Sequence, residues 1–392
     1  MDQRILSKNV QRFITSNLTS DISKLALTKN PFPEIDYKVI LNQIVAKSKA
    51  KEKLPTWFNC DDIYYPEKLS IEQTSSEITA GFKSNLVSGR SLIDLSGGFG
   101  VDDYYFSKKI ENVAHCEYDI DLSAIVCHNF QVMKIDNIST YAGDSLEILK
   151  NLNQKWDWIY VDPARRHNHK GKVFMMSDCI PNVPELLPTY FNYSDNILMK
   201  TAPLLDISAG LRELPNVKSI HVVAVNNEVK ELLWTLSKSF NGDPIITCVN
   251  ITQDESERLV FNPSTVGISK YSLPKKYVYE PNAAIMKAGA FAAISEIFGI
   301  EKLHQHSHLF TSDELIDFPG RRFLVENIVE YNKAEMKLFS KQRMNVTTRN
   351  FPETVEEIRK KWKILDGGKC YSFFTTDIDN RKIVLLCTKI QP

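Results

Sequence analysis

The residues best placed to do chemistry lie between positions 94 and 200, and they recur in one arrangement. A short apolar run, Ser91-Leu92-Ile93-Asp94-Leu95-Ser96, leads into Gly97-Gly98-Phe99-Gly100. Glycine takes left-handed backbone angles without steric cost and lets the main chain approach a ligand closely. A plain strand-to-helix turn needs the same residues, so the loop alone says little. It also lacks the third spaced glycine of the GxGxxG pattern, which disfavours a nicotinamide-dependent oxidoreductase. The acids that follow add weight. Glu117 closes the next apolar run, 20 residues after Gly97, where a carboxylate can accept hydrogen bonds from both hydroxyls of a ribose. Asp119 competes for that role. Asp144 follows a third run, in Ala142-Gly143-Asp144-Ser145, where it can receive the amino group of an adenine. It can equally cap the helix announced by Leu146, Ile148 and Leu149, and the two roles are compatible. Together with Asp94, an acid after each of three successive strands suits a nucleoside-bearing cofactor.

A fourth run, Trp156-Asp157-Trp158-Ile159-Tyr160-Val161, ends in Asp162-Pro163-Ala164-Arg165-Arg166. Here the sequence resembles the class I S-adenosylmethionine (SAM)-dependent methyltransferases, and in particular the branch that modifies nucleic-acid amines. In that branch an Asp/Asn-Pro-Pro-aromatic loop follows strand four, its acid or amide and a backbone carbonyl hold the target amine, and its aromatic stacks on the base. Asp162 and Pro163 match, whereas Ala164 replaces the second proline and Arg165 the aromatic. A guanidinium can stack on a base or contact phosphate, and both readings stay open. The structural alternative is an Asp-Pro turn with two solvated arginines.

Four segments occur together: Gln73-Thr74-Ser75-Ser76-Glu77, the Asp162 loop, Lys200-Thr201-Ala202-Pro203, and Arg349-Asn350-Phe351-Pro352. As a set they resemble the bacterial methyltransferase-like proteins with a C-terminal THUMP-like domain, from about residue 55 onward. The resemblance implies SAM as cofactor, lying over Gly97, Gly98 and Gly100, with Asp94 at the strand end. Glu117 or Asp119 would hold the ribose and Asp144 the adenine. It implies Asp162, Pro163 and Arg165 at the acceptor, and Gln73, Glu77, Arg166 and Lys200 on the substrate side. Lys200 has the alternative of snorkelling at the strand end. RNA is the expected partner, because THUMP modules are associated with RNA binding. A base nitrogen is the expected target, since carbon methylation of pyrimidines uses a cysteine nucleophile and the Asp162 loop has none. The alternatives are a methyltransferase for a protein or small-molecule amine, and a non-catalytic RNA-binding protein with a degenerate SAM fold.

The elements that must position these residues follow from periodicity. Val10, Phe13, Ile14 and Leu18 share a helical face, a second helix runs from Tyr37 to about Lys51, and a third starts near Ile71 and carries Gln73 and Glu77. From Ser91 short apolar runs alternate with helical ones, which predicts an α/β fold with a mostly parallel Rossmann-like sheet. Residues 231–240 read as a helix within it, and 281–299 as another. Beyond Phe323 the order strand, helix, strand, helix, strand, strand predicts a small α/β domain, with Asp377–Asn380 as a hairpin turn. The expected divisions are a helical region 1–85, a methyltransferase domain 86–270, a ferredoxin-like segment 271–320 and a THUMP-like domain 321–392.

Composition fits this picture. The chain has 392 residues, 43% hydrophobic and 24% charged, as in soluble globular proteins. No run approaches the roughly 20 apolar residues of a membrane span. The N-terminus shows no secretion signal, and seven scattered cysteines without a CxxC pair suit reduced thiols in the cytoplasm. No metal is expected, and His304, His306 and His308 read as a surface loop. Charge is uneven: residues 1–85 carry net +2, 86–319 net −8 and 320–392 net +6. A basic tail is compatible with a nucleic-acid partner, and Arg359, Lys360, Lys361 and Lys363 are its best phosphate-contact candidates, although a solvated helix face has the same composition.

Overall fold

The computed structural model describes residues 1–165, 175–253 and 255–391. The chain divides into two bodies, Met1–Lys218 with Leu232–Gly242, and Ser219–Glu231 with Asp243–Pro392.

The strands are β1 (Ser91–Asp94), β2 (Asn112–Glu117), β3 (Ile138–Ala142), β4 (Trp158–Val161), β5 (Ala164–Arg165), β6 (Cys179–Ile180), β7 (Asn196–Thr201), β8 (Val217–Val225), β9 (Glu228–Ser237), β10 (Ile245–Ile251) and β11 (Ser256–Phe261). In the first body the order is β3-β2-β1-β4-β7-β9. All neighbours are parallel except β9, which runs antiparallel to β7 from Asn196↔Ser237 to Thr201↔Leu232. β1 and β4 are buried from their second residue onward, as expected of strands covered on both faces. Their common direction brings the C-terminal ends of β1, β2 and β4 to one edge, and the connection order switches sides between β1 and β4, where open α/β sheets hold their ligands.

The N-terminal helices share a core with this sheet's helices. Trp57, Tyr65, Ile40 and Ile44 pack with Phe99, Val101, Val126 and Phe130. The helix expected near Ile71 is two helices, Lys68–Gln73 and Glu77–Ser84, because Ser76 caps the second by accepting the Thr79 N–H at 3.2 Å.

Residues 231–240 are not a helix. Leu232 to Leu236 are all buried within β9, and Trp234 Nε1 donates to Thr201 Oγ1 at 2.9 Å. Leu232, Leu233 and Leu236 satisfy a helical period by coincidence, and periodicity cannot decide for a segment buried all round. The local cue was Asn226-Asn227, whose φ values of 50° and 63° reverse the chain before it.

In the second body β8, β10 and β11 run side by side, β8 and β10 parallel and β11 antiparallel. A seven-stranded sheet comprises β12 (Tyr277–Pro281), β13 (Glu301–Lys302), β14 (Phe310–Ser312), β15 (Gly320–Glu330), β16 (Arg343–Arg349), β17 (Leu365–Thr376) and β18 (Lys382–Ile390), in the order β13-β14-β12-β15-β18-β17-β16. Phe373 and Leu385 face one core and Phe374 and Val384 the other, by strand alternation. Met336 and Ile358, from helices Lys333–Lys337 and Val355–Trp362, cover the second face. Asp377–Asn380 is a hairpin turn, with the Asp377 N–H donating to the Arg381 carbonyl at 3.0 Å. Residues 281–299 are two helices, Ala283–Ala288 and Phe291–Phe298, broken where Gly289 takes φ 63°. No helix among the described residues is long and apolar enough to cross a membrane.

Candidate functional site

β1 delivers Asp94 buried at the sheet edge, where its Oδ1 accepts the Ser96 N–H at 2.7 Å and the Ser96 hydroxyl at 2.9 Å. Ser96 Oγ in turn accepts the Asp162 N–H at 2.7 Å, so one hydroxyl couples the ends of β1 and β4. Sequence reasoning passed over this serine. Gly97 donates its N–H to the Cys116 carbonyl at 2.9 Å, and a Cβ there would lie 2.2 Å from the His115 ring. Gly98 has φ 56° and donates its N–H to Glu117 Oε2 at 2.8 Å. Gly100 has φ 74°, and a Cβ there would meet Phe130 at 2.6 Å and Val126 at 2.9 Å.

Beneath the loop lies a buried ionisable network. His115 Nδ1 is 2.6 Å from Asp103 Oδ2, and both side chains are fully buried. Burial pushes the Asp94 and Asp103 carboxyls well above the usual range, with Asp103 raising Asp94 further and Asp102 raising Asp103. Burial holds the His115 imidazole below its usual value. Asp102 Oδ2 accepts the Ser75 and Tyr160 hydroxyls, each at 2.9 Å, and Oδ1 pairs with buried Lys83 at 3.1 Å. A buried lysine is tolerated when paired and hydrogen-bonded, as here.

The strand-end acids separate by role. Glu117 turns back to the loop, accepting the Gly98 N–H through Oε2 and the Asp119 N–H through Oε1 at 2.8 Å. Asp119 caps helix Ile120–Val132, accepting the Asp121 and Leu122 N–H groups at 2.9 and 3.1 Å. Asp144 is exposed and caps helix Ser145–Leu152, accepting the Glu147 N–H at 2.9 Å. Tyr118 and Ile120, 79% and 72% exposed, flank Glu117 and Asp119 with apolar surface. Their cue was two large apolar residues interleaved with acids at a strand end.

At the end of β4, the Asp162 carboxylate pairs with the Lys200 ammonium. The β4–β7 register, Val161↔Met199, brings the two residues side by side. Pro163 is buried, and Ala164–Arg165 forms a short antiparallel pair with Cys179–Ile180. The Arg165 side chain and the whole of Arg166 lie outside the described residues. Glu77 is engaged elsewhere in the fold: it accepts the Thr56 N–H and hydroxyl at 2.6 and 2.7 Å and the Tyr105 hydroxyl at 2.7 Å. Gln73 is exposed at the end of its helix. In the second body, His308 stacks on Phe291 at 4.0 Å and His304 Nδ1 lies 2.9 Å from Asn350 Nδ2. Among the described residues, no group of three or more His, Cys, Asp or Glu gathers to hold a metal ion.

The chain is similar over its full length to a crystal structure from Porphyromonas gingivalis W83, provisionally assigned as a methyltransferase. Identity is 29%, coverage 100% of this chain and 99% of that one, and the TM-score 0.88. An Escherichia coli protein, also provisionally a methyltransferase, is 17% identical over 41% of this chain and 84% of its own, at a TM-score of 0.30. A Pyrococcus horikoshii protein, provisionally an RNA methyltransferase, is 15% identical over 50% and 98%, at 0.33. No curated protein matches the chain. Residues 277–319 match a ferredoxin-like domain and residues 320–389 a THUMP domain-like family. The full-length likeness and the THUMP domain-like match at residues 320–389 bear out the resemblance to the class I SAM-dependent methyltransferases that carry a C-terminal THUMP-like domain.

Proposed function

We propose that the chain transfers a methyl group from SAM to a base nitrogen of RNA. The observation that carries this reading is the joining of the glycine loop to Asp162 through Ser96, which ties the cofactor loop to the acceptor residue. The residues fit the cofactor. Gly98 has only the Ser96 carbonyl, 3.8 Å away, near a Cβ position, which leaves its outer face open. Glu117 stands at the loop to hold the ribose, and Tyr118 and Ile120 offer apolar surface to an adenine. Asp144 would receive the adenine amino group beside its capping bond. When bound, SAM supplies a methyl group on a good leaving group, so positioning is the protein's main task.

Asp94, Asp103 and His115 hold the loop from beneath. Asp162, with Pro163 fixing the turn after it, orients the acceptor nitrogen and accepts its proton at a carboxylate oxygen. Arg165 and Arg166, next in the sequence, would contact the acceptor, and the basic THUMP-like domain would grip the RNA backbone. The cytoplasm, where the thiols stay reduced, is the proposed compartment.

The test is methyl transfer from labelled SAM to RNA isolated from cells lacking the gene. Label should enter RNA with the native chain and not with Asp162→Ala, while the variant binds S-adenosylhomocysteine as the native chain does. Transfer by Asp162→Ala at the native rate would refute the role of Asp162. Labelling of a protein or small amine, with none in RNA, would refute the acceptor class.

A further inference from the structure

The Asp162–Lys200 pair bears on which base nitrogen is methylated. Both residues lie at the C-terminal ends of adjacent parallel strands, and the Asp162 main chain is fixed by Ser96. Lys200 is the more buried partner, with 13% of its side chain exposed against 31% for Asp162. The acceptor therefore meets a carboxylate with a positive charge held beside it.

Two kinds of base nitrogen respond to that charge in opposite ways. An exocyclic amine that gains a methyl group is positive until its proton leaves, and a neighbouring ammonium opposes that charge. A lactam, a ring N–H beside a carbonyl, loses its proton instead. The proton passes from the ring nitrogen to an Asp162 oxygen. The electron pair of that N–H bond stays on the ring and spreads to the carbonyl oxygen. The ammonium stabilises this negative charge, and does so more strongly where solvent is partly excluded.

We infer that the acceptor is a lactam-type base nitrogen, as in guanine or uracil, and that Lys200 selects it. The inference rests on the base-methylation reading above and narrows it. A protein lysine is opposed on the same grounds, since its ammonium would have to approach Lys200.

Two measurements test it. Nucleoside analysis of RNA methylated by the native chain should find the label on a ring nitrogen next to a carbonyl. Label on an exocyclic nitrogen overturns the inference while leaving base methylation intact; the absence of label from RNA overturns both. The second measurement needs no transfer. An oligonucleotide carrying 5-fluorouridine is bound to Asp162→Asn, which removes the competing carboxylate, and ring ionisation is followed by 19F NMR against pH. The ring should ionise at least about one pH unit lower than in the Asp162→Asn/Lys200→Met double variant, a tenfold change in the ionisation constant. Equal midpoints in the two variants overturn the role of Lys200. Lys200→Arg in place of Met should restore the shift.

Discussion

Adding one methyl group to the glycine loop should have opposite consequences at Gly98 and Gly100. Both residues have left-handed φ, which costs an L-residue about 1 kcal/mol. At Gly98 the nearest atom to a new Cβ is 3.8 Å away, so that cost stands alone. At Gly100 the Cβ would lie 2.6 Å from Phe130 and 2.9 Å from Val126, both buried. Overpacking of this kind adds about 1–3 kcal/mol, bringing the Gly100→Ala loss to about 2–4 kcal/mol. For a body of this size each kcal/mol lowers Tm by about 2–4 °C. Gly100→Ala should therefore melt about 4–16 °C lower, and Gly98→Ala only about 2–4 °C lower. SAM affinity should behave the other way. The Gly98 methyl projects into the open face and should weaken binding about tenfold or more, equivalent to at least about 1.4 kcal/mol. Thermal melting monitored by fluorescence, with calorimetric titration of SAM on both variants, reads the two effects separately. Equal melting losses would refute the assigned packing, and undiminished SAM affinity in Gly98→Ala would refute the placement of the cofactor.

Three further outcomes follow. Glu117→Gln should weaken SAM about tenfold or more through loss of charge-assisted hydrogen bonds worth about 1.5–3 kcal/mol. Asp119→Ala should cost about 1 kcal/mol of stability as a lost helix cap and spare SAM affinity; the reverse pattern would make Asp119 the ribose ligand. His221, buried on β8 beside Arg258, has its value lowered to about 4, chiefly by burial. A histidine depressed in the fold contributes stability above its unfolded value of about 6.5, lost as pH falls through that value toward 4. Urea unfolding should show the native chain losing about 2 kcal/mol more than His221→Gln between pH 7 and pH 5, and parallel losses would contradict this.

The α/β alternation was legible because it is local. Each strand is a short apolar run and the candidate residues sit at the run's end, so Asp94, Gly98, Glu117 and Asp162 could be assigned to strand ends and the loops after them without knowing the fold. What was hidden depends on partners distant in sequence. Ser96 joins Asp162 across 66 positions, His115 joins Asp103 across 12, and Lys83 meets Asp102 from another helix. A histidine within an apolar strand and a lysine at a helical core position were the only signs, and neither names its partner. The resemblance put Glu77 on the substrate side, and its hydrogen bonds to Thr56 and Tyr105, 21 and 28 positions away, could not be read from the sequence. β9 was misread because burial on both faces removes the alternation that marks a strand, and the 281–299 helix because Gly289 can continue a helix or end one.

The most direct measurement is calorimetric titration of the native chain with SAM and with S-adenosylhomocysteine, using Gly98→Arg as the blocked control. Saturable binding of both ligands at one site per chain, absent from the control, is the predicted result. No binding to the native chain, or equal binding to a folded Gly98→Arg, would contradict the cofactor site and leave the RNA-binding protein with a degenerate fold as the better description.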